Sequence, residues 1–347
     1  MYEENAQRHL VIVPGVYSYI GDLPRGCKLC IQGTKMVIFI TGVCHDKCFY
    51  CPVSRERFGK PVAYADEEPI HKLEDLVDEA LRIGADGASI TGGDPLVALD
   101  RTIKAIRLLK ELFGENFHIH LYTSGRYATT SVLKELERAG LDEIRFHPTA
   151  QWLLKRIETA IKILRHVHVG VEVPVLPDKV GELKSLIKWL DGIGAEFINL
   201  NEVEVSPSNI TELMKRGYKV HRDAPIVLGS EEAAIELVKW ALENTKRITV
   251  HYCPARYKDR VQMRIRLLRK ALRIAKPYEE YDSQGLLRAK RGPRTPEYLR
   301  LVKEGYGEVI DGYVVFTPRL PVRGEEIKRY PTKMYNLLPS EKGIKSR

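Results

Sequence analysis

Between about residue 35 and residue 205 the hydrophobic and polar positions of the 347-residue chain switch repeatedly from one period to another. MVIFI is an unbroken apolar run, as expected of a strand covered on both faces. Over 73–83, LEDLVDEALRI, apolar residues return at helical spacing. GASITGG reads as a strand ending in glycines, 99–113 as a helix and FHIHLYTSG as a strand. The series continues with a helix over 132–139, the strand DEIRFH, a helix over 152–164, the strand HVGVEVPVL, a helix over 181–190 and the strand FINLNEVEV. Strands separated by helices of this length predict parallel β/α units. Six of them are too few for a closed eight-stranded barrel. The expected class is α/β, a partial (β/α)6-type barrel with extensions at both ends.

The alternation breaks near Ser206. The segment 206–230 is punctuated by Pro, Asn and Gly and reads as an insertion. A helix over 231–243 and the short strand ITVHYC follow. The next helix, over 257–275, places Val261, Ile265, Leu268, Leu272 and Ala275 on one face. Past Lys276 a Gly/Pro-rich region ends in the strand signal DGYVVFTP. The expected organisation is an N-terminal extension over 1–34, a barrel core over 35–253 that includes the insertion, and a basic helix with a small C-terminal region over 254–347.

Composition changes this picture little, but charge does. Apolar residues make up 44%, enough for a sizeable core. No apolar run approaches the ~20 residues of a membrane helix, and MYEENAQRHL lacks the basic and apolar regions of a signal peptide. The expectation is a cytoplasmic protein with no membrane partner. The formal charge of +9 is concentrated between Pro254 and Lys303, where fifteen Lys or Arg stand against five Asp or Glu. One explanation is a docked helix with a solvated basic face. Another is contact with RNA phosphates, with Tyr257, Tyr278 and Tyr281 stacking on bases and KRGPRTPEY extending the patch.

Three of the six cysteines, Cys44, Cys48 and Cys51, fall within eight residues directly after MVIFI. Structural zinc takes four ligands, usually as separated close pairs. Three thiolates on one loop suit a 4Fe–4S cube whose fourth iron stays open to another ligand. Tyr50, just before the last cysteine, could contact a purine beside it. On Cys44, Cys48, Tyr50 and Cys51, a C-x3-C-x-aromatic-C pattern after the first strand, the chain resembles the radical S-adenosylmethionine (SAM) superfamily. It is similar in particular to the pyruvate formate-lyase activating enzyme-like archaeal iron–sulfur proteins. TGGDPL, with Gly92, Gly93, Asp94 and Pro95, resembles the superfamily's second mark, a GGE-type turn that binds the methionyl amino group, here with Asp for Glu.

The resemblance implies an enzyme in which a reduced 4Fe–4S cluster cleaves SAM to a 5′-deoxyadenosyl radical that abstracts hydrogen from a substrate. It also implies an oxygen-free setting and a low-potential donor such as ferredoxin. Ser124, at the end of the third strand, is the expected ribose contact. Glu172, Asn199 and Asn201 are expected at the barrel mouth, beside the cofactor. No further catalytic residue can be named.

Cys27 and Cys30, a C-x2-C before the barrel, could meet Cys253 and His251 of HYCP if the chain returns. These would make a Cys3His zinc site, hold a second iron–sulfur cluster, or remain free thiols. Three functions are carried forward: a radical SAM enzyme, with RNA modification as one outcome; a radical SAM activase that installs a glycyl radical on a partner protein; and a non-enzymatic zinc protein that binds nucleic acid. TGGDPL counts against the last, because a zinc module has no use for that turn.

Overall fold

The computed structural model describes residues 9–13 and 17–332. The expectation for MYEENAQR lies outside the described residues. Seven parallel strands stand side by side in chain order: Lys35–Thr41, Gly87–Gly92, His118–Thr123, Glu143–Phe146, His168–Pro174, Phe197–Asn201 and Thr249–Cys253. The seventh is the short ITVHYC segment. It pairs with the sixth in parallel register, Asn199 opposite His251 and Asn201 opposite Cys253, so the barrel runs one strand beyond the six read from the alternation. Tyr17–Ile20 and Leu10–Val13 add antiparallel strands at one edge, Tyr64–Ala65 and Glu68–Pro69 at the other. The strand order is linear, so the barrel is partial, as expected.

The two faces of these strands differ in chemistry. Outward residues such as Ile38, Ile90, Ile119, Ile144, Val171, Ile198 and Val250 merge with the helices Glu74–Ile83, Leu99–Phe113, Thr130–Ala139, Leu154–Ile163, Val180–Ile193 and Ser230–Asn244 into one apolar core. Inward residues alternate with them and are polar: Lys35, His118, His120, Glu143, Arg145, Asn199 and His251 are all buried. A side-chain network is obligatory there, because buried polar groups left unpaired are costly. The helix Arg25–Ile31, not anticipated from the sequence, lies inside this face. Its Gly26 amide is 3.4 Å from Glu143 Oε2. A Cβ on Gly26 would come within 2.5 Å of His120 Nδ1, so only glycine lets the helix sit this deep.

The basic helix departs from expectation. Ala255–Tyr257, Lys258–Met263 and Arg264–Ile274 run on as one helical stretch with a wide turn in the middle. Leu272 is 61% exposed, while Leu267, Lys270 and Ala271 are buried. The docked face is therefore rotated from the predicted apolar stripe. It is set by ion pairs: Lys270 reaches Glu79 at 2.7 Å and Glu68 at 3.3 Å, and Arg266 reaches Asp66 at 3.1 Å and also Glu67. Arg269 donates to the carbonyls of Ile83 and Gly84, the negative end of the helix Glu74–Ile83. Much of the basic face is thus turned inward onto acidic groups, not solvated. Tyr257 and Tyr278 are buried and only Tyr281 is exposed, so the proposed row of stacking tyrosines does not exist. Beyond it lies a second sheet of Glu280–Tyr281, Leu287–Pro293, Tyr313–Phe316, Gly307–Ile310 and Glu325–Arg329, with the helix Pro296–Lys303 packed on Val314 and Phe316 through Leu301.

Candidate active site

Above the plugging helix the barrel encloses a cavity of about 640 Å³ that all six cysteines line. Cys44, Cys48 and Cys51 enter it from the loop that leaves the strand Lys35–Thr41. All three are half-buried free thiols. The Cys51 amide donates to the Cys48 carbonyl at 3.1 Å, and the Asp46 amide points at Cys44 Sγ at 3.4 Å. Burial pushes the Cys48 thiol up to about 11 and raises Cys44 and Cys51 as well. Such thiols stay protonated at neutral pH until a metal takes the proton's place. Three thiol donors and no fourth on the same loop fit a cube that leaves one iron open.

The loop lies directly on the TGGD turn. Gly92 has φ +140° and a Cβ there would be 2.2 Å from the Thr41 carbonyl; one on Gly93 would be 2.3 Å from the Val43 carbonyl. The glycines are required first by the cysteine loop itself. Asp94 is buried and its carboxylate is fully engaged. It accepts from the Leu96 amide at 3.0 Å, from Thr123 Oγ1 at 3.0 Å, and from the amide and hydroxyl of Ser124 at 3.2 and 2.9 Å. Asp94 therefore ties the ends of the second and third strands together, and any ligand contact from this turn falls to its backbone. Ser124 lines the cavity with its hydroxyl committed to Asp94.

Glu172, Asn199 and Asn201, expected at the mouth, form one cluster in the cavity wall. Glu172 accepts from Asn199 at 2.9 Å, from Asn201 at 2.7 Å and from Arg145 at 2.8 Å. Burial pushes its carboxyl up, but the Arg145 guanidinium and the two amides outweigh that and hold it below the ordinary value. His251 Nδ1 lies 3.1 Å from Asn199 Oδ1. Burial drives its pKa down to about 3, so it is neutral.

Several residues of the site were not singled out in the sequence. Arg145 joins Glu143, Glu172 and Tyr122. His147 bridges Tyr50 Oη at 2.9 Å and the Glu172 carbonyl at 2.9 Å. Burial lowers its pKa, so the neutral ring donates from Nδ1 to the carbonyl and accepts the Tyr50 hydroxyl at Nε2. Asp46 accepts from Arg126 at 2.7 Å and Thr149 at 2.8 Å. A signal was available: DEIRFH puts Glu143, Arg145 and His147 on one face of a strand buried on both sides. The segment 206–230, read from the sequence as an insertion, also touches the site. Asn209 Nδ2 donates to the Tyr50 carbonyl at 2.9 Å, and Phe49 stacks on Tyr218 with ring centres 6.1 Å apart.

Cys27, Cys30, Cys253 and His251 do reach the same cavity. Among the described residues no three or more His, Cys, Asp or Glu converge as ligands of a single metal ion. Tetrahedral zinc on these four would need that convergence, and the structure does not bring them together in that way.

The partial barrel, the three-thiol loop and the glycine turn beneath it define an iron–sulfur enzyme of the radical type. Residues 38–150 match the Radical SAM superfamily model. The chain is 42% identical over 275 residues to the "Putative glycyl-radical enzyme activating enzyme MJ0021" of Methanocaldococcus jannaschii, spanning 76% of this chain and 72% of that protein. It is 29% identical over 141 residues to a "Probable GTP 3',8-cyclase" of Thermococcus kodakarensis, over 40% of this chain and 43% of that one. Among solved structures it aligns with Streptococcus suis SuiB bound to S-adenosylmethionine at 10% identity and a TM-score of 0.45, covering 63% of this chain and half of the other. The chain belongs to the radical SAM superfamily, and the cofactors of that family are a 4Fe–4S cluster and SAM. Among the described residues no helix is long and apolar enough to cross a membrane.

Proposed function

We propose that this radical SAM enzyme takes its hydrogen from a peptide segment of a partner protein, as a glycyl-radical activase does, and not from RNA. When bound on Cys44, Cys48 and Cys51, the cluster and SAM supply reductive cleavage and a hydrogen-abstracting radical. The residues of the chain do the rest. The Asp94 knot holds the turn under the loop, and the His147–Tyr50 bond fixes the aromatic ring beside the thiols. A low-potential donor such as ferredoxin supplies the electron.

The observation that carries the choice of substrate is the charge balance of the cavity. Its cationic lining side chains, Arg145, Lys258 and Arg266, are each paired, with Glu172, Glu204 and Asp66. His147 and His251 are neutral. A phosphate-rich substrate would meet no uncommitted cation among these groups, and phosphate contacts dominate nucleic-acid affinity. A peptide backbone needs hydrogen-bond partners instead. Asn201, on the cavity wall, keeps its buried Oδ1 without a partner, which suits a substrate N–H. The name of the 42% identical relative points the same way.

The test uses reconstituted, reduced protein with SAM and a set of peptides carrying α-deuterated glycine, against deuterated tRNA. Deuterium appearing in 5′-deoxyadenosine from the peptides supports the proposal. Deuterium from tRNA alone would overturn it and restore RNA modification.

A further inference from the structure

We propose that Cys27, Cys30 and Cys253 hold a second 4Fe–4S cluster inside the barrel, against Arg145 and Asn199. Chain segments more than 220 residues apart bring these thiols to one cavity. Cys27 and Cys30 sit one turn apart on the plugging helix. Cys253 ends the seventh strand, opposite Asn201 in register. All three line the cavity and all are free.

A buried cysteine with only a structural role behaves as a small apolar side chain among apolar neighbours. Cys27 has the opposite surroundings. The Arg145 guanidinium lies 3.4 Å from its sulfur, and Asn199 Nδ2 lies 3.5 Å away. The guanidinium is a charged N–H donor and suits an anionic sulfur, while Asn199 presents both its Nδ2 and, at 3.7 Å, its Oδ1, the acceptor for the thiol form. Both are held in place from behind, Arg145 by Glu143 and Glu172, and Asn199 by Glu172. Donors anchored behind a ligand sulfur are what orients and tunes a metal site. Nor is the depth of the helix incidental. Gly26 is the residue that allows Cys27 to come level with Arg145, and its Cβ would otherwise be 2.7 Å from the Arg145 guanidinium.

The ligand set selects the class of metal. His251 is held at Nδ1 by Asn199, and the three thiols are the anionic donors of the set. Those thiols do not converge on one point, as a lone tetrahedral ion would require. An iron–sulfur cube spreads its ligand sulfurs over separate corners and tolerates three protein ligands. Ligation replaces three thiol protons, which leave to solvent. The inference does not depend on the peptide-substrate proposal, because it is read without SAM or partner.

The experiment is anaerobic iron–sulfur reconstitution followed by iron and zinc quantification and Mössbauer spectroscopy of the full chain. About eight irons per wild-type chain, all in cubane signatures, are expected. The triple variant Cys44→Ala/Cys48→Ala/Cys51→Ala should keep about four, and Cys27→Ala/Cys30→Ala/Cys253→Ala should also keep about four. About four irons in the wild type, with none left in the loop variant, would overturn the proposal. So would zinc bound to the loop variant in place of iron. The wild-type count decides the matter even where a variant fails to fold.

Discussion

Cys44, Cys48 and Cys51 stand half-buried on a loop with free thiols turned toward a cavity. Lys270, in the basic helix, is 1% exposed and held by two carboxylates. Both regions are concentrations of one residue type, yet they do opposite work. A reactive group must keep its bonding capacity open, so the fold supports the loop through its backbone, by the glycine turn beneath it and Asn209 beside it. A buried cation must have its bonding capacity closed, because an uncompensated buried charge costs several kcal/mol. The basic helix consequently acts as a strut that locks the segment 66–84 to the C-terminal part of the chain. Arg266 and Lys270 direct their charge at Asp66, Glu67, Glu68 and Glu79.

The sharpest way to break this contrast is to exchange the expected losses. Cys44→Ala should abolish SAM cleavage and lower cubane iron by about four per chain. It should leave the denaturation midpoint nearly unchanged, since the thiol supports little packing. A large loss of stability with cleavage retained would make the loop structural. Lys270→Ala should do the reverse. It strands Glu79 in the interior and should cost about 3–5 kcal/mol, read as a shift in the urea midpoint at unchanged slope. The double variant Lys270→Met/Glu79→Gln should recover part of that loss. A Lys270→Ala protein of wild-type stability but weakened tRNA binding would restore the nucleic-acid role of the helix.

Between these extremes lies Asn209, whose side chain is buried and joins the insertion to the cysteine loop through the carbonyls of Tyr50 and Glu204, each at 2.9 Å. Asn209→Ala leaves two part-buried carbonyls short of a donor and should cost about 2 kcal/mol. If the insertion supports the loop, the same variant should lose cluster iron faster than wild type under a chelator. Equal rates of iron loss would show that the insertion is only a lid on Leu176 and Val203.

How legible these regions were follows from where their partners lie in the chain. The loop was readable because its three thiols, Tyr50 and the preceding strand are contiguous, and TGGDPL falls one β/α unit later. The helices over 99–113 and 231–243 were readable because an amphipathic period is local. The inward network was not, although its signal existed. Glu143, Arg145 and His147 alternate in a strand that the β/α pattern says is covered on both faces, and only a polar barrel interior explains that. The plugging helix was hidden for a different reason. RGCKLCI is short, and Gly26 argues against a helix by propensity; close approach to His120 and Arg145 overrides it. The basic helix was only half legible, because charge was counted without its partners. Glu68 and Glu79 are about 200 residues away in sequence, so no local window could show that Lys270 was neutralised.

The smallest expected effect comes from a carboxylate that belongs to neither region, and it calibrates the two larger ones. Glu137, at the end of the helix Thr130–Ala139, accepts from Lys134 at 2.8 Å and from the amides of Arg165 and His166 at 2.6 and 3.0 Å. Desolvation pushes its carboxyl up, but these three donors together outweigh it and hold the pKa at about 2, against 4.5 for the free side chain. Because the folded value is the lower one, the contribution is fully present above pH 4.5 and fades as the pH falls through 2. Glu137→Gln should therefore cost about 1.5 kcal/mol at pH 7. The gap between variant and wild type should narrow steadily as acid is added. A gap that stays constant with pH would mean that the donors recognise the shape of the side chain and not its charge. The loss assigned to Lys270 would then need to be divided in the same way, between packing and ion pairing, before it could be set against the loop.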